Sequence, residues 1–151
     1  MRTIKYIVLH CTATAQTATV DSIRKFWRDV KGWKNVGYHW VIKADGEAVK
    51  LAEISAVTNG VKGHNANAIH IAYIGGIEKG KAVDNRTVEQ KATQVRLLTE
   101  LKKKFPNAKI LGHRDLSPDR NSDGVVSPHE WTKECPSFDV AQWLKEIGFK
   151  Q

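Results

Sequence analysis

Two histidines and a cysteine, His10, His113 and Cys135, stand where chains tend to keep reactive groups. His10 directly follows the short β-rich run Ile4–Leu9. His113 follows Lys109–Leu111 and a glycine, and Cys135 precedes a proline and a helix-forming stretch. Such positions suit chemistry because a rigid scaffold holds strand ends and loops in place. Two imidazoles and a thiolate make a three-ligand zinc set, and a fourth position left to water is what distinguishes a catalytic zinc site from a structural one. Spacing alone does not single out this triple. The chain has six histidines and two cysteines, without an HExxH or CxxC pair. Two loop histidines and an ordinary buried thiol fit the same residues, and Cys11 and Cys135 are both available as the thiolate.

A second pattern is more restrictive. Asp119-Arg120-Asn121-Ser122-Asp123-Gly124-Val125-Val126-Ser127-Pro128-His129-Glu130 fits D-x-[DN]-x-[DN]-G-x₅-E, the twelve-residue calcium loop. Asp119, Asn121 and Asp123 present alternate oxygens to one point, and Gly124 permits the sharp turn. The Val125 carbonyl adds an oxygen, and Glu130 closes the shell with two more. A polar surface loop with Asp-Gly turn chemistry is the plainer reading of the same residues. The preceding Arg114–Pro118 has no helical pattern, so the expectation is a lone Ca²⁺ clip, ordering the segment that carries Lys133 and Cys135, rather than an EF-hand pair.

The elements that must position these groups alternate between strand and helix. Ile4–Leu9 reads as a central strand. Thr19 or Asp21 caps a helix to about Lys31, with Ile23, Phe26, Trp27 and Val30 on its apolar face. Tyr38–Lys43 reads as a strand joined through Ala44-Asp45-Gly46-Glu47 to a return strand, Ala48–Leu51. Thr58–Asn67 is a loop, Ile69–Ile74 a strand and Glu78–Arg86 a charged connection. Thr87 with Gln90 makes a capping box for a helix to about Phe105, with Val88, Ala92, Val95, Leu98 and Leu101 as its stripe. Lys109–Leu111 is a short strand, residues 114–136 are irregular, and Ser137 caps a last helix, Phe138–Ile147. The fold class predicted is α/β: one domain over residues 1–151, with a central mixed β-sheet flanked by helices and an insertion at 119–130.

Composition agrees with one soluble, monomeric domain. A chain of 151 residues buries enough surface to fold without a disulfide or metal staple. The net charge of +8 favours a polyanion, whether nucleic acid or the anionic polymers of a bacterial wall, or simply a solvated basic surface. No stacking motif or recognition helix supports nucleic acid, which is not expected as a partner. No apolar run is long enough to span a membrane. Lys5 and His10 confine the first apolar run to Tyr6–Leu9, too short for a signal peptide. The expectation is therefore synthesis in the cytoplasm.

Five blocks carry a resemblance: Ile7-Val8-Leu9-His10-Cys11-Thr12-Ala13-Thr14; Gly37-Tyr38-His39-Trp40-Val41-Ile42; Asn67-Ala68-Ile69-His70-Ile71-Ala72-Tyr73-Ile74-Gly75-Gly76; Gly112-His113-Arg114-Asp115; and Lys133-Glu134-Cys135-Pro136-Ser137-Phe138-Asp139. In this order, across nearly the whole chain, they resemble the type 2 N-acetylmuramoyl-L-alanine amidases, which include the amidase-type phage lysozymes and the peptidoglycan recognition proteins. The resemblance implies Zn²⁺ on His10, His113 and Cys135. Strand alternation, which turns Cys11 away from the face of His10, leaves Cys11 a packed thiol. It implies a catalytic tyrosine at Tyr38, beside the attacking water or the carbonyl, and an oxyanion-stabilising cation at Lys133. Without it, Tyr38 is an aromatic on a half-buried strand and Lys133 a surface lysine. His64 and Asn65 fall in the family's substrate-cleft loop, where muropeptide binding and plain loop structure both fit. His39 is expected on the opposite side of its strand from Tyr38. His70 replaces a glycine common in the family, and the sequence offers no account of it.

The activity implied is hydrolysis of the amide between N-acetylmuramic acid and L-alanine in bacterial peptidoglycan, by a phage or prophage lysin that reaches the wall after release. The alternatives are a peptidoglycan-binding module without catalysis, which retention of Cys135 and Tyr38 argues against, and a zinc peptidase cutting another stem-peptide bond.

Overall fold

Six residues, with the aliphatic Ile7, Val8 and Leu9 at their centre, form the first strand, β1 (Tyr6–Cys11), of the computed structural model, which describes residues 2–151. Helix α1 (Val20–Asp29) follows. Thr19 accepts from the Ser22 N–H at 3.1 Å while the Ser22 hydroxyl accepts from the Thr19 N–H at 3.2 Å. This reciprocal pair satisfies donors that a helix start otherwise leaves open. Strands β2 (Trp40–Ile42) and β3 (Ala48–Lys50) make the hairpin expected around Asp45-Gly46. Next come β4 (Ala68–Tyr73) and a small hairpin, β5 (Ile77–Glu78) with β6 (Lys81–Ala82), which begins one residue before the expected charged connection, Glu78–Arg86, and otherwise lies within it. Helix α2 (Val88–Lys104), strand β7 (Lys109–Gly112) and helix α3 (Val140–Glu146) complete the chain.

The main sheet has the order β3-β2-β4-β1-β7, parallel except for the β2–β3 hairpin. It is the mixed sheet expected, with helices on both faces. Because β1 and β4 lie inside it, nearly all their residues are buried, and both read in sequence as continuous apolar runs. Their alternation gives the faces different chemistry. Ile7, Leu9 and Cys11 of β1 join Ile69, Ile71 and Tyr73 of β4 in the main core, against Leu97, Leu98 and Leu101 of α2 and Val140, Trp143 and Leu144 of α3. Each fully buried aliphatic there contributes about 1.5–3 kcal/mol. The opposite face carries Val8 and His10 beside Ala68, His70 and Ala72, small or imidazole side chains. Helix α1 covers part of that face by packing Ile23 and Trp27 on Val41 and Ile74.

Helix α2 departs from the apolar stripe expected of it. Val88 is 80% exposed, while Gln90, Thr93 and Gln94 are buried with Leu97, Leu98 and Leu101. The reason is the company at its N-terminal end. The Gln90 amide donates to the carbonyls of Ile42 at 3.1 Å and Ile74 at 3.0 Å, and its oxygen accepts from the Thr87 N–H at 2.9 Å. Buried strand-end carbonyls need donors, so polar residues face inward there and the apolar face is confined to the later turns. Helix α3 also starts later than expected. Asp139, not Ser137, caps it by accepting from Gln142 N–H at 3.0 Å, and Ser137 has φ 70, outside the helical region.

Candidate metal and catalytic site

His10 is the penultimate residue of β1 and is wholly buried. His113 is the first residue after β7, the neighbouring strand. Cys135 returns from the long irregular segment and is tied down at several points. Its carbonyl accepts from the Arg114 N–H at 2.9 Å, and the next carbonyl, of Pro136, accepts from the Tyr73 hydroxyl at 2.8 Å. Gly112 makes this return possible, since a Cβ there would stand 2.8 Å from the Pro136 ring.

These three residues converge. His10 Nδ1 lies 3.2 Å from His113 Nδ1 and 3.7 Å from Cys135 Sγ, and the three donor atoms all lie within 4.8 Å of one another. Two nitrogens at zinc-bonding distance on a tetrahedral ion stand roughly 3.4 Å apart, and a nitrogen and a sulfur roughly 3.6 Å. The residues present therefore fit zinc in donor type and in spacing. Cys11 packs in the opposite core as strand alternation requires. Its backbone N–H nonetheless donates to Cys135 Sγ at 3.2 Å, a bond that favours the thiolate.

Burial sets the protonation of the group. It pushes His10 well below 6.5 and, with the charge of Lys133, brings His113 down to about 4. Both imidazoles are neutral at pH 7 and able to ligate. Burial pushes the Cys135 thiol up, so metal binding must release its proton.

Tyr38 lies two residues before the first paired residue of β2 and so escapes strand alternation. Its ring is 4.8 Å from that of His10 and 5.3 Å from that of Trp27, and its hydroxyl donates to the Cys11 carbonyl at 3.4 Å. Burial raises its pKa and keeps it a donor. His39 was expected on the side away from Tyr38. It instead stacks near His70, 6.1 Å between ring centres, on the same sheet face as His10. Two cavities of 380 and 610 Å³ share Lys31, Trp33, Asn59, Gly60, His113 and Lys133 as walls and together form a groove, with Cys135 lining the smaller one. Lys133 borders both, and His64 and Asn65 line the larger one. Sequence reasoning passed over Trp33 and Lys31. An aromatic and a cation beside Gly32, in a loop with little else to bury, were the available signal.

His39 makes a testable contribution to stability. It is inaccessible to solvent and held neutral by burial, at about 4 against an ordinary 6.5. Below pH 6.5 the unfolded chain takes up a proton that the native protein refuses, so stability falls as pH falls toward 4. The loss from this residue is on the order of 3 kcal/mol. Urea midpoints measured from pH 7 to 4.5 should decline accordingly, and His39→Asn should flatten the decline; an unchanged slope would assign the acid sensitivity to other groups.

The insertion forms a closed loop. Asp119 Oδ2 accepts from the Gly124 N–H at 2.8 Å, Asn121 Oδ1 from the Asp123 N–H at 3.2 Å and Asp123 Oδ1 from the Val125 N–H at 2.9 Å. Glu130 is 2% exposed and reaches back to the N–H groups of Arg120, Asn121 and Ser127. Asp119, Asp123 and Glu130 bring carboxylate oxygens within 4.8 Å of one another.

Comparison with known proteins gives the following likenesses. The sequence pattern of N-acetylmuramoyl-L-alanine amidases matches residues 1–137. The chain is 36% identical to the endolysin of Escherichia phage T7 over 143 residues, 93% of this chain and 85% of the endolysin. It is 46% identical to an uncharacterized protein of Haemophilus influenzae over 101 residues, 66% of this chain and 87% of that protein. Among solved structures, the Ph2119 endolysin of a Thermus scotoductus bacteriophage superposes with a TM-score of 0.75 at 26% identity, covering 99% of this chain and 88% of that one.

Proposed function

Since the chain belongs to the N-acetylmuramoyl-L-alanine amidase family, we propose that it is a zinc-dependent amidase of peptidoglycan, cutting the bond between N-acetylmuramic acid and L-alanine. The observation that carries this reading is the convergence of His10 Nδ1, His113 Nδ1 and Cys135 Sγ at zinc-like spacing beneath a groove. Zinc held there supplies Lewis acidity, polarising a carbonyl and lowering the pKa of water toward about 7. The chain's own residues do the rest. The Tyr38 hydroxyl, kept protonated, orients the attacking water or the substrate carbonyl. The Lys133 ammonium stands at the groove wall, where it stabilises the negative charge that develops on the carbonyl oxygen. His64 and Asn65 help to hold the muropeptide in the larger cavity. The net charge of +8 adds long-range attraction to anionic wall polymers. The endolysin relatives support a lysin role at the cell wall. Among the described residues no helix is long and apolar enough to cross a membrane.

Digestion of purified cell walls followed by mass spectrometry of the muropeptides tests the bond. Free N-acetylmuramic acid ends with intact stem peptides are expected. Cleavage inside the stem peptide would make the protein a peptidase, and binding without products a recognition module.

A second cation belongs to the same reading. Asp119–Glu130 is proposed to hold Ca²⁺ as a structural clip, through Asp119, Asn121, Asp123, the Val125 carbonyl and Glu130. Asp119 Oδ1 is buried without a hydrogen-bond partner beside two further carboxylates. Among the described residues, no lysine or arginine pairs with any of the three. A buried carboxylate oxygen in that state calls for a cation. Calcium at about a hundred times its dissociation constant would stabilise the fold by about 2.7 kcal/mol. Adding calcium to chelator-treated, zinc-reloaded protein should raise Tm by several degrees; no heat of binding and an unmoved Tm would refute the clip.

A further inference from the structure

Three imidazoles, those of His10, His39 and His70, are fully buried on one face of the sheet, and the proposed chemistry uses only the first. The parallel register sets Val8 beside His70 and His10 beside Ala72, so His70 stands one alternation step from His10 on the neighbouring strand. His10 Nε2 lies 2.8 Å from His70 Nδ1, and His70 Nε2 lies 2.9 Å from Asn65 Oδ1.

The hydrogens in this chain follow from one group whose role cannot change. The Val61 backbone N–H donates to the Asn65 side chain at 2.8 Å, so the atom it meets is the carbonyl oxygen. His70 Nε2, facing the same oxygen, must carry its ring hydrogen. Its Nδ1 is then bare and accepts, so His10 Nε2 must donate. That leaves His10 Nδ1 with its lone pair, and this is the nitrogen 3.2 Å from His113 Nδ1 and 3.7 Å from Cys135 Sγ.

We propose that His70 is a positioning residue for the metal site: together with Asn65 it locks His10 in the Nε2-protonated tautomer and aims Nδ1 at the ion. The inference rests on the reading of His10, His113 and Cys135 as zinc ligands. Metal-bound imidazoles owe orientation and basicity to the partner on their other nitrogen. Here that partner is a neutral imidazole, itself held by Asn65 Oδ1. The backbone N–H of His70 donates to His39 Nδ1 at 3.0 Å, and His39 Nε2 donates to the Ala56 carbonyl at 2.9 Å, which ties down the strand that carries the ring. Gly60 is part of the device. A Cβ at that position would stand 2.3 Å from the His70 ring, so a side chain at 60 and the His70 ring exclude each other.

The test is the zinc dissociation constant, measured by chelator competition on wild type, His70→Leu, His70→Gln and Gly60→Ala. Leucine should weaken zinc binding about 10–100-fold, and Gly60→Ala should weaken it in the same direction. Glutamine, whose side-chain oxygen can accept from His10 Nε2–H, should recover most of the loss. A folded His70→Leu protein with wild-type zinc affinity overturns the proposal. Nitrogen-15 NMR of zinc-loaded wild type tests it without any variant. Zinc on His10 Nδ1 and hydrogens on His10 Nε2 and His70 Nε2 are expected; coordination through His10 Nε2, or a hydrogen on His70 Nδ1, overturns it. A wild-type protein that takes up no zinc would instead refute the ligand set itself, so the two failures are distinguishable.

Discussion

Cys135→Ser is expected to lose zinc and cell-wall hydrolysis together. The substitution is nearly isosteric, and Cys135 sits at the edge of the groove, so the fold should survive it. What changes is the ligand. A thiolate is a strong zinc donor, whereas a serine hydroxyl stays protonated near neutral pH and binds zinc weakly. His10 and His113 alone then hold the ion poorly. Zinc per chain after dialysis should fall from near unity to a small fraction. Hydrolysis should drop by at least about 10³-fold, since the loss removes more than a single stabilising donor would. A strong chelator should reproduce the loss in wild type, with recovery on adding zinc. Near-UV circular dichroism like that of wild type would show that the tertiary structure is kept. An active Cys135→Ser enzyme, or an inactive one that retains its zinc, would sink the proposed ligand set.

Lys133→Met is expected to separate catalysis from metal binding. Lys133 is exposed at the rim, yet its charge reaches inward, lowering the pKa of both His10 and His113. A cation so placed repels zinc but also favours the Cys135 thiolate and the neutral imidazoles, so the charge effects of removing it on metal binding oppose one another. A fall in rate at unchanged zinc content must then come from the reaction itself. Methionine keeps the length and most of the packing of the side chain while deleting the ammonium. The value of kcat should fall about 10²–10³-fold, the scale of a lost oxyanion donor, with zinc content unchanged and KM little altered. Lys133→Arg should restore part of the rate by keeping the charge at a different geometry. If Lys133→Met is fully active, Lys133 is a surface lysine and the oxyanion is stabilised without it.

The elements that came out of the sequence correctly are those whose signal is local. The apolar runs at Ile4–Leu9 and Ile69–Ile74 marked strands buried on both faces, and Asp45-Gly46 marked a hairpin. Thr87 with Gln90 closed the capping box expected of them. The errors lie where a distant neighbour overrides local pattern. Val88 is apolar and helical yet faces solvent, because the strand-end carbonyls of Ile42 and Ile74 draw Gln90 inward. Ser137 is a good cap by type, but Asp139 caps α3 while the Cys135–Phe138 stretch turns back toward the strand ends.

For the site, the sequence by itself determined the residue types, the ordered blocks that give the family, and the strand ends on which His10 and His113 stand. It also determined that Cys11 faces away from His10, because alternation is a property of the strand alone. Only the tertiary structure decided that His10, His113 and Cys135 meet, since their convergence depends on how β1 and β7 pair and how a long loop returns. Only it, too, gave His70 a role. Whether a histidine in an apolar strand is idle or holds a ligand in place depends on its register against the next strand and on an oxygen from a separate loop. Both are set by pairing between segments far apart in the chain, and a one-residue slip would place His70 on the opposite face.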